Sequence, residues 1–166
     1  MIGENKEFDV GGYIFKKVCK IEPIRDDRGV VRSFLPQSRY DNTAQHRLHA
    51  YGGGPFCEFK IPNRLSSSGA YAIFVASTMM YIGRCDQARP PSAQGGLSRR
   101  FNAGYGKIQP RNCFAGGQQP NCRINNLIYG EATKSNPIEL WFFETPKFVE
   151  IEDELNARFR PRWNLR

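Results

Sequence analysis

At 166 residues the chain has the length of one ordinary domain with room for an extension. Hydrophobic residues make up 40%, enough for a packed core and too many for a globally disordered chain, and no apolar run approaches the roughly 20 residues that span a bilayer. The charge, 24 basic against 16 acidic residues or +8, favours a polyanionic partner, with nucleic acid first.

The opening MIGENKEFDVGG has neither a basic start nor an apolar core of the kind a signal peptide needs. A cytoplasmic location is therefore expected, with association to the nucleoid if DNA is the partner. Residues 1–65 read as an irregular, β-rich extension. Short apolar runs such as GYIFKKVCKI are cut by Pro23, Asp26, Asp27, Gly29 and Pro36. YGGGPFCEFKI predicts a turn followed by a strand from Phe56 to Ile61. PNRLSSSG marks a boundary, and residues 66–166 form the main module.

That module opens with AYAIFVAS and MMYIGR, a predicted β-hairpin turning around Ala76–Thr78. Tyr71, Ile73 and Val75 share one face by the period of two. Antiparallel pairing about that turn makes Tyr71 and Tyr81 neighbours across the ladder. CDQARPPSAQGG is a Pro/Gly-rich loop, GLSRRFNAGYG a short helix stopped by glycine, and IQPRNCFAGGQQPNC a second long loop. RINNLIYGEATK predicts a helix, PIELWFFET a strand, and PKFVEIEDELNARF a helix ended by Pro161. The order β-β-α-α-β-α predicts an α+β fold, a small, mostly antiparallel sheet flanked by helices.

Five cysteines without a CxxC pair read as free thiols, and a zinc site built on Cys113 and Cys122 is the alternative. His46 and His49 are the only histidines and read as a surface pair. Basic and aromatic residues interleave through the middle segment and again at Arg158, Arg160, Arg162, Trp163 and Arg166, as a stacking surface requires. The candidates for DNA contact are Tyr105, Lys107, Arg111, Asn112, Gln118, Asn121, Arg123 and Arg162.

Two polar residues fall against the apolar pattern. In the last helix Phe148, Ile151, Leu155 and Phe159 form one stripe at about 100° per residue. Glu152 lies about 55° from its centre, while Glu150, Asp153 and Glu154 lie roughly 105–155° away. A carboxylate at the core edge needs a cation or hydrogen bonds, and both a metal ion and an arginine would serve. In GLSRRF, Leu97 and Phe101 set the buried face, Arg99 points to solvent and Arg100 flanks the core. Arg100 is a candidate to grip a phosphate bidentately, and a purely structural pairing with Glu152 is the alternative.

GAYAIF followed by MYIGR resembles the two signature elements of the GIY-YIG nuclease superfamily. GIY is written Gly69-Ala70-Tyr71, and YIG is intact as Tyr81-Ile82-Gly83. LSRRF resembles the family's first helix, its arginine falling on Arg100. IEDELNARFRPRWN resembles the terminal pattern of an acidic helix running into lysine- or arginine-Pro-x-aromatic-Asn, with the glutamate on Glu152 and the asparagine on Asn164. The helical angles and the resemblance single out the same glutamate and the same arginine. Departures exist: Ala70 stands where isoleucine is usual, the loop before Arg100 is long, and the family's His or Tyr after the arginine falls on Gly104, with Tyr105 beside it.

The resemblance implies a metal-dependent DNA endonuclease leaving 5′-phosphate and 3′-hydroxyl ends, of restriction or phage-defence type. In it Tyr71 is the general base or orients the attacking water, and Tyr81 bonds the water or the phosphate. Arg84 and Arg100 stabilise the phosphate. Glu152 binds one Mg²⁺ or Mn²⁺ ion, and Asn164 braces the site or a phosphate. A double-strand cutter with one site per chain implies a homodimer or two successive nicks. The rival readings are a binding module that does not cleave, a nuclease acting on RNA or on branched or damaged DNA, and a basic structural protein.

Overall fold

In a computed structural model, residues 6–39, 46–62, 65–87 and 95–165 are described. The loop residues 88–94 and the terminal Arg166 lie outside them. Among the described residues there are five strands: β1 (Glu7–Val10), β2 (Tyr13–Lys20), β3 (Gly69–Val75), β4 (Thr78–Cys85) and β5 (Ile138–Glu144). The α-helices among the described residues are α1 (Gly96–Arg100), α2 (Gln119–Thr133) and α3 (Phe148–Phe159). The protein is α+β, and all five strands form one sheet in the order β1-β2-β5-β3-β4 with every pair antiparallel. None of the described helices is long and apolar enough to cross a membrane.

By their contacts the residues fall into two compact units, each assembled from separate stretches. One holds residues 1–21, 61–104 and 137–166, the other residues 22–60 and 105–136.

The first unit contains the sheet, α1 and α3. β1 and β2, read from sequence as part of an extension, join the sheet through the pairing of β2 with β5, where Lys17 and Glu139 also form a 2.7 Å ion pair. β3 lies between β5 and β4 and is buried along its whole length, which fits its unbroken apolar sequence. Ala70, Ala72 and Phe74 on one face pack with Val10, Phe15, Ile82 and Trp141. Ile151 and Leu155 of α3 cover the same cluster, each burial worth about 1.5–3 kcal/mol. The α3 stripe weakens at its end, because Phe159 is exposed beneath the Arg158 guanidinium. Arg160, with φ 46°, ends the helix in a left-handed cap just before Pro161.

The β3–β4 hairpin turns on Ala76 and Ser77, whose φ values of 46° and 68° match the two-residue turns that suit twisted strands. Ile73 pairs with Tyr81 but Phe74 pairs with Met79, so Met80 is an extra residue bulging from β4.

The second unit contains α2 and two 3₁₀ turns, Pro36–Arg39 and Pro110–Cys113. Its core joins Phe56, Cys113, Phe114 and Cys122. α2 begins four residues before the predicted start at Arg123, because Pro120 fits the first turn, where no backbone donor is needed. The predicted strand from Phe56 to Ile61 does not form. Phe56 makes one isolated bridge to Phe34, and buried Asn125 then takes over the ladder's role. Its Oδ1 accepts from the Cys57 N–H at 2.9 Å and its Nδ2 donates to the Cys57 carbonyl at 3.1 Å.

Candidate functional site

The six residues singled out as catalytic, Tyr71, Tyr81, Arg84, Arg100, Glu152 and Asn164, all lie in the first unit, around strand β4. Tyr71 pairs with Gly83 and Tyr81 with Ile73, so the two tyrosines are diagonal neighbours on one face. Their ring centroids are 5.8 Å apart and their phenols share a hydrogen bond. Phe101, which follows α1, packs edge-on against Tyr71 at 5.7 Å. The opposite face carries Arg84, which pairs with Ala70 and follows the parity of Ile82. There α3 brings Glu152 to it: Arg84 Nη1 lies 3.2 Å from Glu152 Oε2. The ion-pair partner of Glu152 is thus Arg84. Arg100 is exposed rather than wedged at the core, and its Nε donates to the Arg84 backbone carbonyl at 2.9 Å.

β4 is the edge strand, and its outward backbone groups are capped in turn. The Met80 carbonyl accepts from the Trp163 N–H at 2.8 Å. Asn164 holds Ile82 from both sides, its Oδ1 accepting from the Ile82 N–H at 3.0 Å and its Nδ2 donating to the Ile82 carbonyl at 2.8 Å. Arg100 caps Arg84. The free edge is closed by side chains and one backbone group instead of a sixth strand, and two of those side chains are candidate site residues. Asn164 is therefore a brace: its amide is spent on the strand.

Sequence reasoning missed Gly83 as a packing residue. A Cβ there would overlap Tyr71 Cζ and fall 2.6 Å from Tyr71 Oη. The phenol lies over the glycine, so the third letter of YIG makes room for Tyr71, the first tyrosine of the pair. The signal was present in the pairing of Tyr71 with Gly83.

Burial sets the electrostatics. Tyr71 is 7% exposed, and burial, with the neighbouring Tyr81, pushes its pKa well above that of an ordinary phenol, against the pull of the Arg100 cation. Tyr71 is a neutral phenol at physiological pH, which favours the role of orienting a water over that of a resident phenolate base. Burial raises the Glu152 carboxyl above its usual range, opposed by Arg84, reinforced by Asp153 and opposed again by Arg100. A raised folded-state pKa means that ionisation weakens the fold as pH climbs above the carboxylate's unfolded value. Glu152→Gln is therefore expected to melt above wild type at pH 7, with the gap closing below about pH 4. Thermal melts of both proteins across that range check the sign.

The predicted DNA contacts divide. Tyr105, Lys107, Arg111, Asn112, Gln118, Asn121 and Arg123 belong to the second unit, and exposed Arg162 to the first. Tyr105 is 57% exposed and the Lys107 ammonium lies 5.4 Å from its ring centroid, an open stacking pair. Asn121 and Gln118 side chains bond each other. All five cysteines are free thiols. Cys113 and Cys122 hydrogen-bond each other, and burial lifts the Cys122 thiol to about 12. Among the described residues no three His, Cys, Asp or Glu side chains converge as a metal site, so the zinc alternative lacks its remaining ligands there. The chain matches no family model, no curated protein and no solved structure.

Proposed function

We propose that this protein is a metal-dependent endonuclease that hydrolyses DNA phosphodiester bonds, leaving 5′-phosphate and 3′-hydroxyl ends, on a GIY-YIG-like fold. One observation carries the reading. Residues from β3, β4, α1 and α3 set two phenols on one face of a single edge strand and one guanidinium with a half-buried carboxylate on the other, and a second guanidinium, that of Arg100, lies at the strand edge. That set matches the needs of phosphoryl transfer, which are positioning and the stabilisation of charge.

The scissile phosphate lies between Arg100 and Arg84. Arg100 keeps its remaining N–H donors for the phosphate oxygens, because among the described residues it is its Nε that is engaged, with the Arg84 carbonyl. Arg84 releases Glu152 as it turns to the phosphate. The neutral Tyr71 phenol orients the attacking water through its oxygen lone pairs, and Tyr81 holds that phenol in place. Asn164 keeps β4 in register so that these groups stay aligned.

Glu152 fits a magnesium ion. Mg²⁺ is usually bound through one or two carboxylates together with substrate phosphates and retained waters, and Glu152 offers one carboxylate beside a phosphate site. It is buried enough to gain from a cation, because burial disfavours its ionisation even with the Arg84 guanidinium beside it. Such an ion supplies positive charge to the leaving 3′ oxygen.

Incubating the protein with supercoiled DNA, branched DNA and RNA, each with Mg²⁺ and with EDTA, tests the reading. DNA cleavage that requires the metal and leaves ends open to direct ligation supports it. Cleavage of RNA or of branched DNA alone would reassign the substrate, and binding without cleavage would make this a non-cutting module.

A further inference from the structure

The second unit contains a cavity of about 140 Å³ beside the turns Pro36–Arg39 and Pro110–Cys113. Cavities of about this size take up a single benzene-sized ring. Its apolar walls include Phe34, Leu35 and Ile108, and its polar lining includes Arg39, Lys107, Glu58 and Gln109. Leu35 is 48% exposed, and Arg39 and Lys107 are both exposed as well. Arg32 adds a third cation, 5.5 Å from the Phe34 ring centroid. An aromatic platform flanked by cations is the arrangement that holds an unstacked base and its phosphates.

We propose that this slot binds an unpaired or extruded cytosine of a nucleic acid. The inference rests on the reading of the partner as nucleic acid and names the feature recognised. Size selects a one-ring base over a purine. Glu58 selects among one-ring bases: its carboxylate can only accept hydrogen bonds, which cytosine's amino group donates and which the carbonyl of thymine or uracil at that position does not, while the Gln109 amide, which both donates and accepts, serves either base. Arg39 and Lys107 take the flanking phosphates. Neither the slot nor Glu58 belongs to the group around β4.

The test uses abasic phosphodiester strands in EDTA, carrying one central cytosine, one central thymine or no base, with binding read by fluorescence anisotropy. The cytosine strand is expected to bind about tenfold more tightly than the baseless strand, with thymine between them. Ile108→Trp, which fills the slot, removes the advantage of both bases. Glu58→Leu removes only the gap between cytosine and thymine, and, needing no room in the core, keeps the test sound if the tryptophan variant misfolds. Equal binding of all three strands by wild type, or of none, overturns the slot. Metal-dependent plasmid cleavage by the same preparation then tells whether the nuclease reading falls with it.

Discussion

Replacing Arg100 with alanine is expected to lower the rate of phosphodiester cleavage by about 10²–10³-fold, the usual cost of removing one preorganised charge stabiliser. The fold should survive, because the side chain is exposed and makes a single bond to the Arg84 carbonyl. That bond is also why the loss in rate is large. It fixes the guanidinium plane against the β4 edge before substrate arrives, so little ordering remains to be done at the moment of reaction. Arg100→Lys should recover only a small part, because one ammonium cannot both cap the carbonyl and present a fork to the phosphate. Single-turnover cleavage of plasmid, alongside a thermal melt, separates the two effects. A variant that melts like wild type and still cuts at the wild-type rate would remove Arg100 from the site.

Gly83→Ala should damage both stability and cleavage through one methyl group. The backbone at Gly83 is ordinary strand, so the demand is for space. The new Cβ would sit in the volume of the Tyr71 phenol, which is pinned by Phe101 behind it and Tyr81 beside it. Overpacking of this kind costs about 1–3 kcal/mol. Whichever way the ring moves, its hydroxyl leaves the hydrogen bond to Tyr81, and cleavage should fall at least as far as it does in Tyr71→Phe. Pairing Gly83→Ala with Tyr71→Leu should recover stability and leave cleavage lost. Unchanged melting of the single variant would show that the phenol does not rest on Gly83.

The hairpin was legible because β3 and β4 are short, largely apolar runs with a short turn between them. The three helices were legible from their apolar spacing, though α1 ends at Arg100 with Phe101 as its cap, ahead of the expected glycine stop. Membership of β1 and β2 in the sheet was not, because it depends on β2 meeting β5, more than a hundred residues away, and nothing local to either strand specifies that pairing. The stretch Phe56–Ile61 reads as a strand by alternation, yet Asn125 supplies the amide that a neighbouring strand would have offered. At the site, helical angles were enough to set Glu152 apart from its acidic neighbours. They could not name its partner. Arg84 reaches Glu152 because the register with Ala70 turns it to the α3 face, and register is a property of the folded sheet. The resemblance offered Asn164 as a brace but not its partner, the Ile82 backbone, since a side chain bonding a strand edge leaves no periodic trace.

The most direct test of the central claim, that Glu152 serves catalysis at the expense of the fold, is a paired measurement on Glu152→Gln: its melting temperature at pH 7 and its cleavage of supercoiled plasmid with Mg²⁺, each beside wild type. A variant that melts higher and leaves the plasmid intact is the predicted result, because burial opposes the charge that the ion requires. A variant that melts lower and cuts like wild type would contradict it, and would make the Arg84–Glu152 pair a structural ion pair with no part in the chemistry.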